Sequence, residues 1–378
     1  MRLSEIFRER QNRKNDAPRQ NIFTGLRTPD PAIENSRSTV WTRSRAEEPR
    51  LFSALVHEPP DSKKTYGDLV RLSERIIAGL TLRPVKLPDL DDMCETVGIL
   101  MEDLEESRSA ILAWTERSTL GDYLAGHTAN VTVISIAVSQ EMGWPAATQL
   151  AVGVAALLHD AGLAYNRALT DHGRPLSRDE KLELTALPRQ CLEILDDFLA
   201  SLSPESRGIV EKIILQYQER VSGEGYPGGL RDGEICEEAQ LVGLCDTYEA
   251  LCHPRPHKKS KLSHEALRVL IEMAGRDFDG SLIKSLWETL TLFPPGSFVK
   301  LNTGELARVL RVNKSLPTRP KVQVMAAADG SRAKASPVMD LSQTPGVVID
   351  RAVDECSAGV QDPGLLIELK AQKWWIPQ

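Results

Sequence analysis

Apolar residues recur at helical spacing along most of the chain. The first clean face starts at Tyr66 and runs through Leu69, Val70, Leu72, Ile76, Ile77 and Leu80. A second runs through Met93, Val97, Leu100, Met101 and Leu104. Val131, Ile134, Val138 and Met142 form a stripe that begins at His127, and Pro145 sets the start of the next helix. That helix is the most apolar stretch, Val152 to Leu158, and it carries His159-Asp160 on its last turn, with Gly162 expected to stop it. Ser177 and Glu180 spell a capping box for a helix through Leu184 to Leu195. Ile209, Ile213, Ile214 and Tyr217 mark another, which breaks at the glycine-rich loop 222–229. An apolar helix over about 237–251 carries Asp246 and is closed by Pro254 and Pro256.

After Pro294-Pro295-Gly296 the period falls to two. Segments 297–301, 306–312 and 321–325 alternate like strands, with turns at Asn302-Thr303-Gly304 and Asp329-Gly330. The pattern therefore predicts an all-α core, a helical N-terminal segment and a small C-terminal β appendage. The expected borders are 1–62 for a flexible arm, 63–118 for the helical segment, 119–294 for the helical domain, 295–350 for the β domain and 351–378 for a tail with Trp374-Trp375. The arm is rich in Arg, Asn, Ser and Pro; its Leu3, Ile6 and Phe7 could make a short amphipathic helix, although a frayed tail is the expectation. The helical segment could pack on the main domain or mediate a homodimer, and both stay open.

Composition narrows the classes. The 378 residues carry a net charge of −7, which gives no basic excess for a phosphate backbone, so DNA binding is not expected and a nucleotide would need a local pocket. No apolar run reaches about 18 residues without a charge and the N-terminus lacks a signal peptide's hydrophobic centre, so a cytoplasmic location is expected. Cysteines 94, 191, 236, 245, 252 and 356 are scattered without a CxxC pair, as in a reduced compartment.

Four side chains stand out: His127, His159, Asp160 and Asp246. From His159-Asp160 alone a buried hydrogen bond outweighs a metal, because an unpaired buried carboxylate costs several kcal/mol and needs some partner. Asp246 is harder to dismiss, since it stands in an apolar helix between Cys245 and Tyr248. Two imidazoles and two carboxylates suit one divalent transition metal (Fe, Mn, Zn or Ni) better than a thiolate-preferring or purely oxygen-liganded ion.

The order His, His-Asp, Asp resembles the HD superfamily of metal-dependent phosphohydrolases. The loop from Glu219 and Arg220 through Gly225-Tyr226-Pro227, followed by Asp246-Thr247-Tyr248-Glu249-Ala250-Leu251 and Arg255-Pro256, resembles its bacterial HD-GYP branch, associated with hydrolysis of cyclic di-GMP. The resemblance covers roughly 119–294 and implies an HD-domain helical bundle. It implies a metal on His127, His159, Asp160 and Asp246, with Asp160 catalytic in guiding the attacking water. It also places Arg220, Tyr226, Arg255 and Lys258, with Lys259, near substrate phosphates, although a solvated loop is an equal reading for the lysines. Three family metal positions are lost: Leu187, Tyr217 and Gln218 stand where the branch has histidines, and Leu163 replaces its lysine. The implied chemistry is a divergent phosphohydrolase or phosphodiesterase limited to one metal site. The competing reading is a catalytically inactive module that binds a nucleotide, a cyclic dinucleotide or a signalling protein partner. A merely structural HD helix ranks last.

Overall fold

The computed structural model describes residues 62–378 apart from 117, 120–122, 167–168, 170–176, 254–259, 314, 355–356, 373 and 376–378. The expected arm therefore lies outside the described residues, except for Ser62. Two helices open the fold: α1 (Ser62–Leu80) buries the face predicted from its spacing, and α2 (Leu90–Thr115) is kinked at Ser107. The short strand β1 (Ser118–Thr119) leads to α3 (Tyr123–Glu141). Every residue of α3 from Leu124 to Ser139 is buried, which makes it the central helix around which α1, α2 and α4 (Ala146–Leu158) pack.

The chain leaves α4 differently from the sequence expectation. His159 caps α4, Asp160 turns out of the spiral at φ −97° and ψ 18°, and the short α5 (Ala161–Tyr165) resumes with Gly162 inside it. Gly162 thus does not stop the helix. A Cβ on it would lie 3.1 Å from the carbonyl oxygen of Leu187, so its missing side chain lets α6 (Arg178–Leu199) approach closely. The capping box at Ser177 and Glu180 forms as the sequence predicts. Residues 146–165, which carry Asp160, are long and apolar enough to cross a membrane by length and composition alone, but 72% of their most apolar window is buried inside the protein.

Helix α7 (Pro204–Gln216) and α8 (Glu237–Cys252) flank the glycine-rich loop, and α9 (Ser263–Glu272) and α10 (Gly280–Leu290) complete the bundle. Gly243 decides how α8 meets the end of α7, because a Cβ there would fall 2.0 Å from the carbonyl oxygen of Tyr217.

The three predicted strands form as β2 (Phe298–Leu301), β3 (Leu306–Arg311) and β4 (Lys321–Ala326). Two more, β5 (Val338–Asp340) and β6 (Ile349–Val353), complete an antiparallel sheet in the order β5-β4-β3-β2-β6. These two escape the sequence reading because they lack a clean inward-outward alternation. One face buries Val299, Leu301, Val309 and Val322 against Phe293 and Leu341. The other buries Leu306, Met325 and Val353 against Leu365 and Leu369 of α11 (Pro363–Gln372). The tail ends as β7 (Trp374–Trp375), which pairs parallel to β1 and ties the end of the described chain to the start of α3.

Candidate metal centre

The centre forms where the start of α3, the α4–α5 break and the middle of α8 meet. His127 comes from the first turns of α3, and its Nε2 lies 3.2 Å from Asp246 Oδ1 and 3.4 Å from Asp160 Oδ2. His159 Nε2 lies 3.5 Å from the same Asp160 oxygen. One ligand atom each from His127, His159 and Asp160 fits within 4.8 Å, and all three residues are buried. Asp246 joins through His127. The break at Asp160 matters here, since it swings the carboxylate toward both imidazoles.

The tautomers follow from the partners. His127 Nδ1 bonds the Glu249 carboxylate, which only accepts, so that nitrogen carries the hydrogen. His159 Nδ1 donates to the Ala156 carbonyl at 2.7 Å. Each Nε2 is thereby turned toward the carboxylates, is buried, and makes no hydrogen bond. Two buried imidazole nitrogens without hydrogen bonds beside two carboxylates is an arrangement a cation completes.

Glu249 is the residue sequence reasoning missed. It is buried on α8 and accepts from Asn130 Nδ2 at 3.1 Å and from Tyr123 Oη at 3.2 Å; its Oε1 also sits 2.9 Å from His253 Nδ1. Tyr66 Oη in turn donates to Asn130 Oδ1 at 2.7 Å, which links α1 to the centre. The signal lay in spacing: Tyr123, His127 and Asn130 share a face of α3, while Asp246 and Glu249 share one of α8, with His253 at its C-cap.

Electrostatics agree with the geometry. Burial alone would lower the His127 pKa, yet Glu249, then Tyr123, Asp160 and Asp246, hold it well above 6.5. Burial acts to raise the Asp160 and Glu249 pKa values, but the facing histidines, with Tyr217 on Asp160, pull both below the usual carboxylate range. The three clustered carboxylates thus draw positive charge to His127, as a proton or as a cation in that proton's place.

Of the three residues expected from the resemblance to stand at histidine positions, two bond the acids. Tyr217 Oη donates to Asp160 Oδ1 at 3.0 Å, and burial keeps its phenol protonated. Gln218 Nε2 donates to Asp246 Oδ2 at 3.3 Å. Leu187 is buried against Gly162. Tyr226 is close enough to Asp160 and Asp246 to feel both charges. Arg220 is committed to its own loop: its guanidinium donates to the carbonyls of Tyr217 and Glu219 and to Gln218 Oε1, and lies 4.8 Å from the Phe278 ring. Glu219 holds the loop from beneath, accepting from the amides of Gly228 and Leu230. Arg255, Lys258 and Lys259 lie outside the described residues.

A family model described as HD domain matches residues 85–282, and one described as KOW domain associated with HD domain matches 298–359. The cyclic di-GMP phosphodiesterase PA4108 of Pseudomonas aeruginosa is 27% identical over 236 residues, covering 62% of this chain and 56% of its own. The cyclic di-GMP phosphodiesterase PdeB of Borreliella burgdorferi is 26% identical over 196 residues, covering 52% and 50%. The chain thus spans about half the length of the curated relatives it matches. Among solved structures, the HDG"Y"P protein Bd1817 of Bdellovibrio bacteriovorus superposes with a TM-score of 0.48 at 16% identity, over 67% of this chain and 76% of that one.

Proposed function

Because the chain belongs to the HD domain family, we propose that it is a phosphohydrolase acting on a cyclic dinucleotide, with one divalent transition metal ion held by His127, His159, Asp160 and Asp246. The observation that carries this reading is the pair of buried Nε2 atoms, without hydrogen bonds, facing two carboxylates. When bound, such an ion acidifies a water and polarises a phosphoryl oxygen. The chain's own residues prepare the rest. Glu249 fixes the ring of His127, and the Ala156 carbonyl fixes that of His159. Tyr217 pins one oxygen of Asp160, so the other is left to face the imidazoles and to orient the attacking water.

The ion is Fe, Mn, Zn or Ni by donor type, since nitrogen and carboxylate ligands suit all four. One ion rather than two follows from the occupants of the lost positions: a leucine, a phenol that stays protonated and an amide offer no imidazole lone pair. Tyr226 supplies a substrate contact at the rim, with Arg255 and Lys258 assigned to substrate phosphates. Arg220 acts by shaping the loop. The relatives' named substrate, cyclic di-GMP, supports the substrate class. A cytoplasmic setting and the borders at 62/63 and 294/295 belong to the same reading, as do a signalling protein partner and a homodimer, whereas the expected borders at 118/119 and 350/351 fall inside β1 and β6.

The test pairs metal analysis with turnover. Protein expressed in metal-supplemented medium is expected to carry about one equivalent of transition metal. It should hydrolyse cyclic di-GMP or its linear dinucleotide with Mn or Fe present, and Asp160→Ala should abolish this. Absence of bound metal would overturn the assignment. The hydrogen bonds of Tyr217 and Gln218 to the two aspartates favour a second reading, a nucleotide-binding module without catalysis. Binding of cyclic di-GMP without turnover would select it.

A further inference from the structure

A cavity of about 340 Å³ opens where the first turn of α9 meets β2, β3 and β6, and none of the four candidate metal ligands lines it. Its charged groups are unequally used. Glu116 accepts from Ser263 Oγ at 2.9 Å, Glu265 accepts from the Leu262 amide at 3.0 Å, and Asp354 accepts from the Ser357 amide at 2.6 Å. The acids are thus engaged with protein donors. The cations are not: among the described residues, neither Arg308 nor Lys261 makes a side-chain hydrogen bond or ion pair. Arg308 is largely desolvated on β3, and burial lowers its pKa against the pull of Glu368. His264 adds a buried Nδ1 with no hydrogen-bond partner, and burial keeps this imidazole neutral. Leu292, Phe293 and Phe298 supply an apolar wall.

A planar guanidinium with free donors matches a phosphate in bidentate fashion, and an ammonium beside it adds a second positive charge. The aromatic wall suits a ring. The volume lies at the low end of the about 300–1,000 Å³ typical of small-molecule sites, which fits one nucleotide rather than two. We propose that this cavity binds a ring-bearing monophosphate of nucleoside monophosphate size, its phosphate on Arg308 and Lys261 and its ring against Phe293 and Phe298. His253 also lines the cavity and bonds Glu249, which puts the bound ligand's wall two hydrogen bonds from His127.

The experiment is titration calorimetry of the full chain in EDTA, so that no metal ion recruits phosphate, with GMP, guanosine and inorganic phosphate as separate probes. GMP is expected to bind at least about tenfold more tightly than either fragment. Arg308→Gln should weaken GMP by about tenfold or more, as expected for loss of a charge-assisted contact. Lys261→Ala, at a part-exposed position where folding is not at stake, should weaken it severalfold, whereas Asp246→Asn should bind GMP as the parent does. The proposal is overturned if GMP does not bind at millimolar concentration or if the fragments bind as tightly as GMP. It is equally overturned if Lys261→Ala leaves GMP affinity unchanged or if Asp246→Asn abolishes it, the last outcome placing GMP at the metal centre.

Discussion

Replacing Glu249 by Gln tests the centre through a residue that touches neither ion nor substrate. The carboxylate accepts from His127, Asn130, Tyr123 and His253, all in a buried setting. Glutamine keeps the shape, but it removes the charge and turns an amide NH2 toward groups that are themselves donors. Breaking a buried charged network costs about 3–5 kcal/mol. At about 2 °C per kcal/mol for a chain of this size, the metal-free protein should lose about 6–10 °C in Tm. Loss of the group that orients a histidine ligand typically weakens metal binding by about 10–100-fold. The assays are thermal unfolding in EDTA and Mn titration of the apo protein. A fall in Tm with unchanged Mn affinity would refute the orienting role and leave Glu249 as a structural residue; no change in either would refute the network itself.

Gly243→Ala places a methyl 2.0 Å from the Tyr217 carbonyl oxygen, so it should cost about 1–3 kcal/mol or more in urea unfolding and displace Tyr217 from Asp160. Glu219→Gln weakens the two amide contacts that hold the glycine-rich loop, and limited proteolysis should cut within 222–230 faster than in the parent while the helical core resists. Burial pushes the thiols of Cys94, Cys191 and Cys245 up to about 12 and that of Cys236 up to about 11. A raised pKa means less thiolate, about one part in a thousand for Cys236 at pH 8, so iodoacetamide should label these positions far more slowly in the native protein than in urea.

Local pattern was enough for much of this protein. The apolar faces of α1 and α2, the box at Ser177 and Glu180, and the period-two runs of β2, β3 and β4 follow from short-range physics, in which a side chain's burial repeats with its backbone period. The motif order selected His127, His159, Asp160 and Asp246 before any geometry was known. What the sequence could not supply is who faces whom across elements. Gly162 reads as a helix stop by residue type, yet its place is set by how near α6 must come. Glu249 reads as an ordinary helix glutamate, and only the crossing of α3 and α8 sets it between His127 and His253. Tyr217 reads as a lost ligand, and only the packing of α7 against the α4–α5 break makes it a donor to Asp160. The type of each element was local information. The chemistry of the site is a property of contacts between different elements, those between α3 and α8 joining residues more than a hundred positions apart, which only the packed bundle decides.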